Sequence, residues 1–342
     1  MKTEAFDRKF DAGEDMLHVL DLSKAKHPLD TVKKNTYPIV IGGVGGSGTR
    51  LIAQCLKQMG FFIGEDLNGA NDNLWFTLLF KRFEVLFYSE LEFERLVTIF
   101  LKGMTGTKNF SKKEMEIVRN LQNRNTILSQ QTKSLFKKTY TNFRSDKWGW
   151  KEPNSHIFID RLIKKIDNIK YIHVIRNGLD MAHSKNQNQL KLWGAHFLNQ
   201  EIDISPYYSL KYWSIVHKRI LKIGKSMGDN FLLLNYDNFC INPENGIQIL
   251  TDFLNIKLNI KEKYQLLKLI QVPTSIGRFK QYGTKIFDPE DVAYVDTLGF
   301  DTSTLGTQER NKNFTQNIKQ KIVQQKKYLI DIKQDLQNYY NR

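Results

Sequence analysis

Five glycines within seven residues are the first feature of this chain whose type and spacing point to chemistry. They follow the apolar run Pro38 to Ile41 and precede Leu51 to Met59, a segment with apolar residues at helical spacing. The five are Gly42, Gly43, Gly45, Gly46 and Gly48. Glycine permits backbone conformations closed to other residues, so successive N–H groups can converge on an anion at the positive end of a helix. The pattern predicts a strand, a phosphate-binding loop and a helix, with Ser47 and Thr49 as hydroxyl donors.

This loop departs from the nucleotide triphosphatase pattern in one respect. Gly43 and Gly48 have the separation of the two glycines in that pattern, but Thr49 and Arg50 follow instead of a lysine and a serine or threonine. The lysine that ATP-hydrolysing enzymes place on the phosphates is therefore absent. A P-loop nucleotide kinase or triphosphatase remains an alternative, weakened because Asp237 is the nearest approach to a magnesium-binding acid at a strand end.

A second candidate anion site follows the apolar run Tyr171 to Ile175. Arg176 comes directly after this run, and Asp180 and Ser184 follow at one and two helical turns. A guanidinium at a strand end and a hydroxyl on the next helix can hold a phosphate from two sides. An arginine that satisfies carbonyls at a helix start, beside an ordinary surface serine, is an equally good interpretation of this stretch alone.

Two further basic stretches belong to the same hypothesis. Lys151 ends a third apolar run and precedes Glu152-Pro153, so its ammonium would point toward the loops. The later stretch Thr274 to Gly283 carries three side chains that could close over an anion: Ser275, Arg278 and Lys280. Each stretch alone is weak evidence for an anion site, because basic loops are common in a chain with 51 Lys+Arg against 36 Asp+Glu.

The elements that must position these residues are short apolar strands separated by helices. Five strands are predicted, at about 38–41, 61–63, 148–153, 169–175 and 231–237. Their alternation with helices predicts an α/β fold that is P-loop-like, a three-layer α/β/α arrangement with a central parallel sheet of about five strands. Ligands of such sheets lie beyond the carboxyl ends of the strands, which is where the glycine loop and Arg176 would meet.

The remainder of the chain predicts additions to a single domain spanning 1–342. Aromatic residues at helical spacing dominate 74–101, and we interpret 74–143 as a helical insertion or lid whose aromatic residues pack in the core. The stretch 307–342 has a helical period and predicts a C-terminal helix. Residues 1–35 are charged and weakly periodic, and we expect them outside the core.

Composition bounds the function without selecting it. The net charge of +15 is compatible with an anionic ligand, nucleic acid or a membrane surface, and sequence-specific nucleic-acid binding has only this charge in its favour. Cys55 and Cys240 form neither a disulfide framework nor a metal-ligand pattern. The first 30 residues lack a secretion signal, and no uncharged run reaches membrane-spanning length. We therefore expect a cytoplasmic protein with no nucleic-acid partner and no stable membrane insertion.

Taken together and in order, these motifs resemble the sulfotransferases that use 3′-phosphoadenosine 5′-phosphosulfate (PAPS). The 5′-phosphosulfate loop of that family, Pro-Lys/Arg-Ser-Gly-Thr-Thr, is similar to the stretch from Gly45 to Arg50. Its 3′-phosphate element, Arg-Asn with a serine eight residues later, is similar to Arg176, Asn177 and Ser184. The resemblance covers about residues 37 to 285.

Three more stretches extend the resemblance. Lys151-Glu152-Pro153 resembles the lysine of the tyrosylprotein and carbohydrate sulfotransferases, a type to which the chain is more similar than to the cytosolic small-molecule type. Tyr236-Asp237, followed by Asn242-Pro-Glu, resembles the family's Tyr-Glu/Asp and Asp-Pro-Glu stretch. The segment from Ser275 to Arg278 resembles the late loop that covers the cofactor.

The resemblance implies sulfuryl transfer from PAPS to a hydroxyl or amine, with adenosine 3′,5′-bisphosphate as product and no metal. The acceptor would be a small molecule, a carbohydrate or a peptide, and neither its identity nor the oligomeric state follows. The implied cofactor-binding residues are Gly45, Gly46, Ser47, Gly48, Thr49, Arg50, Arg176, Ser184, Tyr236, Ser275, Arg278 and Lys280.

The departures from the family concern catalysis. Gly46 stands where the family has a lysine or arginine that stabilises charge on the leaving oxygen, and Arg50 replaces the second threonine. Lys151 or Arg50 must then supply that charge; we assign it to Lys151, with Ser275 as a possible helper. A non-catalytic nucleotide-binding protein is the alternative that Gly46 favours.

The base that accepts the acceptor's proton is assigned from the same resemblance. Relatives use a carboxylate or histidine soon after the second strand, and here we favour Asp72, with Glu65 next. Asp72 or Asn71 could instead simply cap the following helix. His156 and His173 are poorer candidates, since neither lies in the acceptor-side segment.

Overall fold

The structure is a computed structural model, and it describes residues 37–106, 110–124, 135, 146–304, 316, 320, 323, 324, 327, 329 and 330. The predicted addition at 1–35 lies outside these residues, as do most of 125–143 and most of the predicted C-terminal helix. The described positions between 316 and 330 are helical, and Leu329 packs against the core with its side chain partly buried.

A parallel sheet of four strands forms the centre of the described chain. The strands are β1 (Pro38–Gly43), β2 (Trp148–Lys151), β3 (Lys170–Ile175) and β4 (Phe231–Asn235). They lie in the order β2-β1-β3-β4. The register pairs Ile41 with Lys151 on one side and with Ile172 on the other. The α/β class with a central parallel sheet is thus confirmed, and the carboxyl ends of all four strands lie along one edge.

The prediction of five strands is wrong by one within the described residues. The segment 61–63 makes only an isolated bridge, in which the Phe62 N–H donates to the Lys147 carbonyl and the Phe62 carbonyl accepts from Gly149, both at 2.9 Å. The chain turns away directly afterwards at Gly64, whose φ is 98°. Too few residues run alongside β2 to make a strand.

Helices lie along both faces of this sheet. In chain order the helices are α1 (Thr49–Gln58), α2 (Leu74–Phe80), α3 (Glu90–Thr105), α4 (Lys112–Arg124), α5 (Ser155–Leu162), α6 (Gly178–Ala182), α7 (Asn188–Leu198), α8 (Pro206–Met227), α9 (Tyr236–Ile241), α10 (Pro243–Leu254), α11 (Ile260–Leu269) and α12 (Pro289–Thr297). Short 3-10 helices cover Phe83–Phe87, Gly228–Asn230 and Arg278–Gln281.

The strand β4 ends earlier than predicted. It ends at Asn235 because that side chain accepts the Asn238 N–H at 3.0 Å and caps α9.

The two faces of the sheet have different cores. Ile39 and Ile41 point to a large apolar cluster that includes residues of α1, α10 and α11. The alternate residues of β3, Tyr171 and His173, point to the opposite face, where the His173 ring packs against His156 of α5 and His217 of α8. His173 is fully buried within β3.

In the insertion that begins at residue 74, most of the described residues lie in the helices α2, α3 and α4 and in the 3-10 helix Phe83–Phe87. Its aromatic residues pack in the core as predicted: Phe100 meets Trp150 of β2 edge to face at 5.0 Å, and Phe76 stacks on the same ring at 6.2 Å. Phe83 and Phe87 are exceptions and are exposed. No helix in the described part of the chain is long and apolar enough to cross a membrane.

Candidate active site

The glycine loop joins β1 to the N-terminus of α1. Gly46 and Gly48 have φ values of 98° and 96°, in the left-handed region where glycine carries no steric cost. A Cβ atom at Gly48 would lie 2.1 Å from the ring of Tyr236, so that ring packs directly on the loop backbone. Gly48 is also the N-cap of α1 and has no side chain to cap it. The first-turn N–H groups of α1 thus face this loop, as an anion site requires.

Ser47 lies under the loop with its hydroxyl buried. Its Oγ has no hydrogen-bond partner among the described residues, although the residue is fully buried. Gly43 allows this position, since a Cβ there would lie 2.6 Å from the Ser47 Oγ. An unsatisfied buried hydroxyl costs about 1–3 kcal/mol. Ser47 is therefore a polar group that a ligand oxygen could satisfy.

Arg176, at the end of β3, connects three of the predicted site elements. Its guanidinium donates to the Gly46 carbonyl at 3.4 Å and to the Ser275 Oγ at 2.6 Å. Its Nε lies 3.5 Å from Asp237 Oδ1. The same group lies over the Tyr236 ring, 5.5 Å from its centroid. The glycine loop, the late loop and the end of β4 thus converge on one side chain.

Ser184 joins this group from the end of α6. Its Oγ would lie 3.8 Å from a Cβ placed on Gly46, and it accepts the N–H of Asn186 at 3.2 Å. Asn186 itself lies beside Gly45, its side-chain nitrogen 3.5 Å from a Cβ placed there. No sequence motif marks Asn186, and only its position two residues after Ser184 connects it with the predicted site.

Asp237 is the carboxylate that balances Arg176. It is buried, and its Oδ2 accepts the Asn177 N–H at 3.0 Å. Burial raises the pKa of Asp237 to about 6, and the Asn177 N–H and the Arg176 charge oppose this shift. The arginine at the candidate phosphate site therefore has a partner whose charge changes in mildly acidic solution.

The two later basic residues contact protein groups. Arg278 donates to the His183 carbonyl at 3.2 Å, and the Lys280 ammonium lies 2.7 Å from Asp301 Oδ2. Both belong to the loop that carries Ser275. Their assignment to the cofactor stays a prediction.

Lys151 and Asp72, two of the three residues predicted to be catalytic, form one ion pair. The Lys151 ammonium is almost fully buried and donates to the Asp72 carboxylate and to the Ala70 carbonyl, the latter at 3.1 Å. The other Asp72 oxygen accepts from the Asn68 side chain at 2.9 Å. A lysine at the end of β2 and an acid before α2 are thus brought together from positions 79 residues apart.

Asn73 caps α2, and the alternative in which Asp72 or Asn71 caps this helix is wrong. The Asn73 side chain accepts the Phe76 N–H at 3.0 Å. Glu65, the second candidate base, is exposed. Arg50, the alternative cation, is exposed in the first turn of α1.

Gln189 is a second residue of the site that no sequence motif marks. Its amide nitrogen donates to the Gly43 carbonyl at 3.1 Å, and its oxygen lies 3.0 Å from His156 Nε2. Burial lowers the pKa of His156 to about 3, so this imidazole is neutral at physiological pH. Gln189 thus links the start of the glycine loop to the buried His156 of α5.

A family model described as "Sulfotransferase family" matches residues 38–259. The match includes all four strands, the glycine loop, the Lys151–Asp72 pair and Arg176, and it ends before the late loop. The chain belongs to the sulfotransferase family, and it is an enzyme that transfers a sulfuryl group to an acceptor. The kinase or triphosphatase alternative is not favoured.

Among solved structures, the chain is similar to the sulfotransferase domain from the curacin biosynthetic pathway, with 13% identity and a TM-score of 0.42 over 78% of this chain and 99% of that chain. It is similar to sulfotransferase STF9 from Mycobacterium avium, with 11% identity, a TM-score of 0.41 and coverage of 84% and 81%. It is also similar to retinol dehydratase in complex with androsterone and inactive cofactor PAP, with 14% identity and a TM-score of 0.30 over 89% of this chain and 82% of that chain. A search of curated proteins finds no match. The family assignment rests on the family match.

Proposed function

We propose that the sulfuryl donor is PAPS and that it binds along the carboxyl edge of the sheet, between the glycine loop and Arg176. The observation that carries the proposal is that the Arg176 guanidinium donates to both the Gly46 carbonyl and the Ser275 Oγ, while the Ser184 Oγ lies beside Gly46. PAPS has two anionic ends, a 5′-phosphosulfate and a 3′-phosphate. The chain offers one anion-binding element for each, a helix N-terminus with glycines and a guanidinium with hydroxyls.

The 5′ end of the donor fits the glycine loop. The N–H groups of 45–49 and the hydroxyls of Ser47 and Thr49 are the groups we assign to it. The buried Ser47 Oγ, which has no partner among the described residues, supports this assignment, because a phosphosulfate oxygen would satisfy it. The absence of a Cβ at Gly46, where the Ser184 Oγ at 3.8 Å is the nearest atom to that position, leaves room for a ligand to approach the backbone closely.

The 3′ end fits Arg176, Ser184 and Ser275. An arginine at a phosphate site donates in a planar fork, and hydroxyls at its sides add donors. Asp237 lies 3.5 Å behind the guanidinium and orients it. Arg278 and Lys280 complete the assignment on the late loop, and Tyr236 supports it from below.

In this proposal PAPS supplies the sulfuryl group and a phosphate that leaves well; the protein positions the reactants and balances charge. Asp72 accepts the acceptor's proton while the acceptor oxygen bonds to sulfur and the bond from sulfur to the leaving phosphate oxygen breaks. Lys151 supplies the positive charge that Gly46 does not. Glu65 is the second choice as base. The acceptor is a small molecule, a carbohydrate or a peptide.

The test follows sulfuryl transfer from PAPS to a panel of phenols, sugars and tyrosine peptides, by the release of adenosine 3′,5′-bisphosphate. We expect Lys151→Ala to lose on the order of 100-fold or more in turnover, the usual effect of removing one group that stabilises developing charge. Binding of the bisphosphate, measured by calorimetry, should fall by a much smaller factor than turnover, because the groups assigned to its two phosphates in the glycine loop and beside Arg176 remain in the variant.

Lys102→Ala is the matched control. It breaks another lysine–carboxylate pair, with Glu114 at 2.7 Å, in the helical insertion. Its turnover should match the wild type. Unchanged turnover in Lys151→Ala would show that the charge comes from another residue, Arg50 being the next to test. Bisphosphate binding without transfer to any acceptor would favour the non-catalytic alternative.

A further inference from the structure

A buried carboxylate with no place in the proposed chemistry lies between α6 and the late loop. Asp180 is 2% exposed. Its Oδ2 accepts the Gly277 N–H at 2.7 Å, and its Oδ1 accepts the Phe279 N–H at 2.9 Å. A buried carboxylate is costly unless its oxygens are hydrogen-bonded, and these two backbone donors meet that need. The bonds join segments 97 and 99 residues apart in sequence.

The two bonds enclose Arg278 and fix the backbone on both sides of it. Gly277 takes a left-handed φ of 78°, so the chain reverses at the first bond. Phe279 is fully buried at the second. Arg278, held between them, donates to the His183 carbonyl. The loop therefore has few ways to move while Asp180 accepts both amides.

The same loop presents Ser275 to Arg176. Ser275 lies two residues before Gly277, and its Oγ accepts from the Arg176 guanidinium at 2.6 Å. Asp180 follows Arg176 by four residues and lies in the helix after β3. One short segment thus carries both the proposed phosphate-binding arginine and the carboxylate that holds its partner loop.

We infer that Asp180 is a positioning residue for donor binding: by accepting the Gly277 and Phe279 amides, it fixes Ser275 and Arg278 beside Arg176 and so shapes the 3′-phosphate site. The inference rests on the proposed function for the assignment of the 3′-phosphate to Arg176. Its structural half, that Asp180 holds the loop, depends only on the two hydrogen bonds.

The test compares Asp180→Asn with wild type in two measurements. The asparagine has the same shape, but its nitrogen accepts no hydrogen bond. One of the two backbone amides therefore loses its acceptor, and the other donates to a neutral oxygen instead of a charged one. We expect the 274–283 amides to exchange faster, by about 10-fold, in hydrogen exchange of the free protein, because hydrogen bonds to charged groups are worth about a factor of ten or more. Affinity for adenosine 3′,5′-bisphosphate should fall by a similar factor.

Adenosine 5′-monophosphate is the comparison ligand, since it lacks only the 3′-phosphate. Its affinity should change by less than about 2-fold in Asp180→Asn, because its phosphate contacts the glycine loop alone. Asp252→Asn is the control variant; that exposed carboxylate on α10 accepts from Gln248 at 2.7 Å. It should leave both exchange and binding unchanged.

Unchanged exchange in Asp180→Asn would overturn the inference, and so would an equal loss of affinity for both nucleotides, which would indicate general destabilisation. If the variant does not fold, the wild type decides: the Gly277 and Phe279 amides should exchange slowly without nucleotide, and fast exchange there would refute the inference. If the wild type binds the two nucleotides equally, the proposed 3′-phosphate site is wrong and the donor-binding half of the inference falls with it. The exchange measurement still decides whether Asp180 holds the loop.

Discussion

At the scale of single residues, the Arg176–Asp237 pair has the clearest measurable consequence. Asp237 is buried, and its pKa rises from the ordinary 3.8 to about 6 although Arg176 lies beside it. Desolvation therefore outweighs the attraction of the guanidinium at this position. The native protein takes up a proton on Asp237 at a pH where an unfolded chain has already lost it.

This shift predicts how stability depends on pH. Between about pH 4 and 6 the native state binds more protons at Asp237 than the unfolded state does, so its contribution to the unfolding free energy falls with rising pH, by about 2–3 kcal/mol in all. Asp237→Asn should remove this decline. Urea unfolding at pH 4, 5, 6 and 7 measures it, with Asp252→Asn as a control that keeps the wild-type slope. An identical slope in Asp237→Asn and wild type would contradict the assignment.

Residue-level roles were only partly predictable from the sequence. The positions of Arg176 and Ser184 beside the glycine loop could be predicted, because a strand end and a helical spacing place them locally, whereas their binding roles stay predictions. The pairing of Lys151 with Asp72 spans 79 residues and is decided by the fold. Gln189 and Asp180 support loops through buried hydrogen bonds, and such contacts leave no local pattern. Asn73 caps α2, but Asn71 and Asp72 are equally suitable side chains, and the sequence alone does not distinguish the three.

At the scale of elements, the turn from β1 into α1 depends on backbone freedom and on contact with α9. Gly48 has a left-handed φ and lies against the Tyr236 ring, which also lies beneath Arg176. Gly60, just after α1, has a similar φ of 84°, but no described atom lies within 4 Å of a Cβ placed there. A substitution at Gly60 therefore measures the cost of the left-handed backbone alone, whereas one at Gly48 adds the contact with the Tyr236 ring.

Gly48→Ala and Gly60→Ala form a matched pair. Gly60→Ala should lower the unfolding free energy by about 1–2 kcal/mol, the cost of a left-handed alanine. Gly48→Ala should cost more, by at least about 1 kcal/mol, because the Tyr236 ring must also move. It alone should weaken binding of adenosine 3′,5′-bisphosphate. Urea unfolding and calorimetry measure the two effects; equal stability losses and equal affinities would show that the ring contact is unimportant.

Element prediction succeeded where local signals were strong. The apolar runs predicted as strands at 148–153, 169–175 and 231–237 contain the strands Trp148–Lys151, Lys170–Ile175 and Phe231–Asn235. The β1-loop-α1 unit was equally clear. The segment 61–63 failed as a strand because pairing depends on how far the chain continues beside its neighbour, and here it turns at Gly64.

At the scale of the whole molecule, the candidate site is assembled from segments far apart in the chain. The glycine loop, Arg176 and Tyr236 lie within the family match at 38–259, whereas Ser275 lies beyond it and is joined to the rest through Arg176. Binding of one nucleotide should therefore stabilise the chain from β1 through the late loop. The single domain over 1–342 stays a prediction.

The most direct test of the central claim compares thermal unfolding with adenosine 3′,5′-bisphosphate and with ATP plus Mg²⁺. Because we assign two anion-binding elements to the bisphosphate and no lysine follows Gly48, we expect the bisphosphate to raise the Tm by several degrees, about 2–4 °C per kcal/mol of binding energy for large domains. ATP plus Mg²⁺ should raise it by much less. A rise with ATP plus Mg²⁺ alone would contradict a PAPS site.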